Sequence, residues 1–140
     1  MVEFRFILGG TEEELQQLID LYCDAGWWKP GCRNTIHVQK MIQGSHCFLI
    51  AILDHQIIGT GRAISDGGSD AYIQDLTVKQ SLRHHDIGTR IVKKIIEHLL
   101  QQGIEWIGLI AEKNTQVFYE KIGFYIIDQA VPMIFRAESL

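Results

Sequence analysis

The chain has 140 residues, 46% of them hydrophobic and only two of them proline, which suits one folded domain (1–140) and excludes a disordered or fibrous class. Its net charge of −4 gives no general attraction for nucleic acid or an anionic membrane, yet is compatible with a cationic amine. No apolar stretch is long enough to cross a bilayer, and MVEFRFILGG lacks the basic start, long apolar core and cleavage site of a secretory signal. Cys23, Cys32 and Cys47 are an odd set without metal-type spacing, so they read as reduced thiols and point to the cytoplasm.

In chain order, Val2 to Leu8 reads as a first strand, stopped by Gly9-Gly10. Thr11 with Glu14 forms a capping box, and Leu15, Leu18, Ile19, Tyr22 and Ala25 recur at helical spacing before Gly26. After the turn-like Trp27-Trp28-Lys29-Pro30-Gly31, a shorter helix is expected over Thr35 to Gln43. Cys47 to Leu53 and Gln56 to Ser65 are β-rich runs joined by Asp54-His55, a connection suited to a hairpin.

Beyond the loop at Asp66 to Asp70, Ala71 to Val78 reads as another strand and Ile87 to Gln102 as the clearest helix. Ile87, Ile91, Val92, Ile95, Ile96, Leu99 and Leu100 form its apolar stripe, and Gly103 stops it. Trp106 to Ala111 reads as a buried strand and Thr115 to Ile122 as a short helix ended by Gly123. Phe124 to Ile127 and Met133 to Arg136 read as two last strands. The order β-α-α-β-β-β-α-β-α-β-β indicates an α/β class, with one mixed sheet flanked by helices.

A strand that feeds directly into a helix N-terminus offers an anion unpaired N–H groups and a positive dipole end. Arg83 to Thr89 occupies that place: Arg83 adds a cation, His84 and His85 add donors, and Gly88 lets a ligand approach the backbone. From the residues alone this suits either a phosphate-bearing ligand or an ordinary polar turn before a core helix.

The run Asp75-Leu76-Thr77-Val78 followed by Arg83-His84-His85-Asp86-Ile87-Gly88 resembles the signature of the Gcn5-related N-acetyltransferases (GNAT). Upstream, Gly59-Thr60-Gly61-Arg62-Ala63-Ile64-Ser65-Asp66 is similar to the family's third strand. Downstream, Asn114 with Phe118-Tyr119-Glu120-Lys121-Ile122-Gly123-Phe124 is similar to its N…FYEKxGF segment. There are two departures. Gln80 stands where proline is frequent, and Asp86 stands where the family's first glycine sits. A carboxylate there would repel a pyrophosphate at a cost of about 1 kcal/mol or more, although aspartate tolerates unusual backbone angles and is a favoured N-cap. As a cap, Asp86 would bond the N–H of Gly88 or Thr89.

The resemblance implies an acetyl-CoA-dependent N-acetyltransferase in which a primary amine of a small molecule or peptide attacks the thioester directly. It implies a coenzyme site made of Leu76, Thr77, Val78, Arg83, His84, His85, Asp86, Ile87, Gly88, Thr89, Asn114 and Phe118, with the backbone of Leu76 to Val78 bonding the pantetheine and thioester. Tyr119 matches the general acid that protonates the leaving thiolate. Asn114 serves the pantetheine or caps its helix. Simple alternation puts Tyr72, Gln74, Leu76 and Val78 on one strand face and Asp75 with Thr77 on the other. That leaves a water relay or Asp66 as candidates for the base, and Asp75 as a structural hydrogen-bonder. Trp27-Trp28 would border the acceptor cleft or pack as core or subunit contact, and a homodimer is compatible with the latter. No metal site is expected. The rival reading, motivated by Asp86, is a degenerate member that keeps the fold as a ligand-sensing or interaction module.

Overall fold

The computed structural model describes residues 1–137. They form two compact units, Met1–Leu109 and the segment from Ile110 onward, each considered by itself.

The first unit is built on a five-stranded sheet in the order β1 (Glu3–Phe6), β2 (Cys47–Leu53), β3 (Gln56–Ser65), β4 (Asp70–Val78) and β5 (Trp106–Gly108). The first four strands are antiparallel, and β5 joins β4 in parallel. Asp54 and His55 both have positive φ, at 49° and 64°, as a two-residue hairpin matched to strand twist requires.

Helix α1 (Glu12–Asp24) starts at the expected capping box. Thr11 Oγ1 accepts from Glu14 N at 3.1 Å, and Thr11 N donates to Glu14 Oε1 at 3.0 Å. Helix α2 (Thr35–Gly44) is capped by Asn34, whose side chain accepts from His37 N at 3.0 Å. Leu15, Leu18 and Ile19 of α1 with Val38 and Ile42 of α2 share one buried cluster with Phe48 and Ile50 of β2. Both helices therefore cover one sheet face.

The other face receives α3 (Ile87–Gln101), and the Gly59-Thr60-Gly61 sequence of β3 is what admits it. A Cβ on Gly59 would lie 3.0 Å from Ile91 Cδ1, and one on Gly61 would lie 3.0 Å from Ile91 Cγ2 and 3.2 Å from Ile95 Cδ1. The helix sits where a side chain would otherwise be. Its buried stripe comprises Ile87, Ile91, Val92, Ile95 and Leu99. Leu100, expected in that stripe, is instead 51% exposed because its position lies past the edge of the face that meets the sheet.

One local irregularity overturns the simple alternation along β4. Arg62 stands opposite Gln74 and Thr60 opposite Thr77, so Asp75 and Leu76 together face the single residue Gly61. This is a β-bulge, and Asp75 adopts a left-handed φ of 55° within it. The extra residue flips the phase of everything after it. Thr77 thus shares the face of Gln74 and Arg62, whereas Leu76 turns to the α3 side, where its Cδ1 lies 3.4 Å from the Cβ position of Gly61.

The second unit contains α4 (Gln116–Ile122), closed by Gly123 at φ 124° with its N–H bonded to Tyr119 O at 3.2 Å. Among the described residues the two expected last strands do not form: Phe124 to Ile127 and Met133 to Arg136 are irregular. A strand exists only through pairing, and Pro132 removes a donor just before the second run. Neither run therefore closes on the other. The α/β class, the mixed sheet and the first nine elements of the expected order are all present.

Candidate active site

Residues Leu76, Thr77 and Val78 occupy the C-terminal end of β4. Strand β5 meets β4 only at Asp70, Tyr72 and the residue between them, so β4 beyond Tyr72 has no strand on that side among the described residues. On the other side Thr77 and Val78 pair with Thr60 and Gly59. The free edge therefore presents backbone groups to whatever lies beside it, and the bulge at Asp75 sets which ones.

A single 3-10 turn, Gln80–Leu82, carries the chain from β4 toward α3. Gln80, at the position where proline is frequent, uses both its N–H and its amide to bond Asp24, with the N–H at 2.9 Å from Oδ2. The turn is thus tied to the end of α1. Arg83 Nε donates to the carbonyl of Val78 at 2.9 Å, which fixes its guanidinium beside the strand end.

His84 and Asp86 both have left-handed backbones, at φ 68° and 67°, on the approach to α3. Such alternation turns successive N–H groups toward one concavity, a shape that binds anions. The glycine that the family signature carries at position 86 is explained by that φ, and aspartate is among the few residues that tolerate it. Asp86 does hold the N-cap position of α3, but its side chain makes no capping hydrogen bond, contrary to expectation. The cause is the left-handed φ, since an N-cap side chain reaches back to the first turn from an extended backbone. The first bond of the helix is Arg90 N to Asp86 O, at 3.1 Å. Among the described residues no side chain caps the first N–H groups of the helix, those of Ile87, Gly88 and Thr89. A pyrophosphate fits this arrangement: uncapped donors at the helix start, a concave backbone and the fixed cation of Arg83.

The remaining predicted residues, Asn114, Phe118 and Tyr119, belong to the second unit. No side chain caps α4, and Thr115 Oγ1 donates instead to Glu112 O at 2.7 Å, so the capping alternative for Asn114 is not realised. Asn114 itself has φ 64°. Tyr119 packs edge-on against Phe118, with ring centroids 4.9 Å apart, and against Phe124 at 5.7 Å. Burial pushes its phenol above the ordinary value, so it is protonated at neutral pH.

One group was not legible as a unit in the sequence. Arg62 Nε donates to Asp75 Oδ2 at 2.8 Å on the sheet face under α1, and Arg62 Nη1 reaches Ser45 Oγ at 3.4 Å. Tyr22 of α1, 1% exposed, carries a hydroxyl with no partner among the described residues, and Asp75 and Arg62 are the charges that act on it. Trp27 stacks on Tyr22 at 5.7 Å and Trp28 meets it edge-on at 4.8 Å. Trp28 also packs against the core, so packing accounts for it, while Trp27 remains 41% exposed.

A family model described as the acetyltransferase (GNAT) domain matches residues 44–126, more than half of the chain. An uncharacterized N-acetyltransferase, ycf52, of Pyropia yezoensis is 28% identical over 116 residues, covering 79% of this chain and 63% of that protein. The chain therefore spans less than two-thirds of the length of that relative. Among solved structures, a GNAT-family acetyltransferase from Streptococcus pneumoniae TIGR4 superimposes with a TM-score of 0.79 at 22% identity, covering 97% of this chain and 98% of that one. An aminoglycoside acetyltransferase from an uncultured soil metagenomic sample gives 0.75 at 22% identity, covering 96% and 95%. The structural likenesses speak to the fold, and the family model to descent: the chain belongs to the Gcn5-related N-acetyltransferase family.

Proposed function

We propose that this chain is an acetyl-CoA-dependent N-acetyltransferase acting on a primary amine of a small molecule or peptide by direct attack on the thioester. The observation that carries this reading is the start of α3, where no side chain caps the helix among the described residues and the backbone is left-handed at His84 and Asp86, just after Arg83 in the chain. Bound acetyl-CoA would supply the activated acetyl thioester. The residues Arg83 to Thr89 would hold its pyrophosphate, and the free edge of β4 at Leu76 to Val78 would bond its extended arm. Held this way, the acetyl group is oriented before the amine arrives, which removes part of the entropy barrier.

In this reading Tyr119 keeps its proton at neutral pH and delivers it to the departing thiolate. The family resemblance assigns Asn114 and Phe118 to the binding of that arm. The free thiols Cys23, Cys32 and Cys47 suit a reducing compartment, so we place the protein in the cytoplasm. The rival is a non-catalytic module, favoured by one observation only, the Asp86 carboxylate at the mouth of the anion site. Calorimetric titration with acetyl-CoA, followed by a screen of amines for free-thiol release, separates the two. Saturable binding and amine-dependent thiol release are expected, and absence of binding at millimolar ligand would end the enzyme reading.

A further inference from the structure

Aspartate is out of place at position 24. It is the last residue of α1, whose final turn carries no basic side chain, and a carboxylate there is opposed by the negative end of the helix dipole. A residue set against its local preference is compensated elsewhere, and the compensation is a bond across the fold. Asp24 Oδ2 accepts the backbone N–H of Gln80 at 2.9 Å, and the Gln80 side-chain amide donates to the Asp24 carbonyl. Among the described residues these are the only hydrogen bonds that join the stretch 79–89 to α1.

Each end of this tether is a short piece of chain wound on itself. On the α1 side, Gly26 N bonds Cys23 O at 2.9 Å, and Trp27 N and Trp28 N both bond Tyr22 O, at 3.1 and 3.4 Å. The tryptophan loop is thereby an extension of the helix end that Asp24 occupies. On the other side, Leu82 N bonds Lys79 O at 2.9 Å and Arg83 N bonds Gln80 O at 3.4 Å, so a shift of Gln80 carries Arg83 with it. A single 3-10 turn has little stiffness of its own. Proline at its first position would supply some by fixing φ, and Lys79, at φ −48° and ψ 131°, already has the backbone that proline requires of its neighbour. Gln80 instead keeps an N–H and gives it to α1. Proline would stiffen the turn alone, whereas glutamine stiffens it by joining it to the tryptophan loop.

We propose that the Asp24–Gln80 tether couples the anion-binding turn to the tryptophan loop, and that Asp24, acting through Gln80, is a positioning residue for acetyl-CoA. The inference rests on the reading that Arg83 to Thr89 hold the coenzyme's pyrophosphate. What the tether has already ordered, the coenzyme need not order on binding. By reciprocity, bound coenzyme steadies residues 25–28.

Two variants divide the tether's parts. Asp24→Ala removes the acceptor together with the carboxylate that opposes the helix dipole. Its urea midpoint should stay level or rise, while its acetyl-CoA affinity by calorimetry should fall about threefold to fivefold. Affinity equal to that of the unmodified protein would overturn the positioning role. Gln80→Pro severs the tether but fixes the turn, so its affinity should stay within about twofold of the unmodified protein. Hydrogen exchange of the Trp27 and Trp28 amides reads the coupling itself. Saturating acetyl-CoA should slow it at least about threefold in the unmodified protein and leave it unchanged in Gln80→Pro. Coenzyme binding that leaves these amides unchanged in the unmodified protein, or slows them equally in Gln80→Pro, overturns the coupling while the coenzyme reading stands. Absence of binding to the unmodified protein is the failure of the coenzyme reading and takes the coupling with it.

Discussion

Arg62 donates to Asp75 across β3 and β4 at the one place where β4 carries an extra residue, with the Nε to Oδ2 distance 2.8 Å. The pair is half-sheltered, its side chains 15% and 32% exposed, so it lies between the weak surface ion pair and the costly buried one. It holds Asp75 in a left-handed conformation, and through it the phase of Leu76 to Val78. Arg62→Ala should lower stability by about 1–3 kcal/mol, read from the urea midpoint. An unchanged midpoint would mean that the bulge stands without the pair.

The Tyr22 hydroxyl is buried without a partner, which is a cost rather than a contribution. Tyr22→Phe should therefore be neutral or stabilising by up to about 1 kcal/mol. Burial, and secondarily Asp75, raise this phenol well above its ordinary 10.0, with Arg62 opposing. A raised folded value leaves stability unchanged below pH 10 and lowers it as pH rises beyond, because the unfolded chain then sheds a proton that the folded one keeps. Burial also lifts the Cys47 thiol from 9.0 to about 11, which adds a loss beginning near pH 9. Thermal midpoints measured from pH 8 to 11 should fall, and fall less in Tyr22→Phe. Parallel curves for the two proteins would refute the assignment to Tyr22.

Asp86→Gly tests the anion site. The left-handed backbone at φ 67° suits glycine without steric cost, and the substitution removes a carboxylate from the proposed anion site. Affinity for acetyl-CoA should rise about fivefold, equivalent to about 1 kcal/mol of relieved repulsion, with stability changed by less than about 1 kcal/mol. Unchanged or weaker binding by calorimetry would mean that Asp86 does not oppose the ligand.

Tyr119→Phe separates chemistry from binding. If the phenol protonates the leaving group, kcat should fall about 10²-fold or more while acetyl-CoA affinity changes less than about twofold. An unaltered rate with a verified amine would reassign Tyr119 to packing against Phe118 and Phe124.

Local chemistry explains what the sequence made legible. Thr11 and Glu14 cap α1 as their spacing requires, and Cys47–Leu53 and Gln56–Ser65 are strands with the expected limits. Elements set by their own residues were readable. The bulge was not, because it depends on how Gln74 and Thr77 register against Arg62 and Thr60, a relation between two strands that neither run's own pattern specifies. The same holds for residues 124–136, whose strand-like composition specifies a tendency while pairing depends on a partner. The uncapped state of Asp86 was hidden too, since composition favours a cap and the left-handed φ prevents it.

Gly59 offers a test of how closely α3 and the sheet are matched. A Cβ there would stand 3.0 Å from Ile91 Cδ1, 3.3 Å from Thr77 O and 3.4 Å from Val78 Cγ2. Backbone cannot yield as a side-chain end can, so most of the relief must come from Ile91. Gly59→Ala should destabilise the protein by about 1–3 kcal/mol through overpacking. Ile91→Val deletes the Cδ1 atom and alone should cost about 0.5–1.5 kcal/mol. Combined, they should cost at least about 0.5 kcal/mol less than the sum, because the atom that one variant removes is the atom that the other collides with. Urea unfolding of the four proteins measures this coupling. Strict additivity would mean that α3 withdraws from the sheet as a body, carrying the Arg83–Thr89 turn with it, and acetyl-CoA affinity in Gly59→Ala should then fall as well.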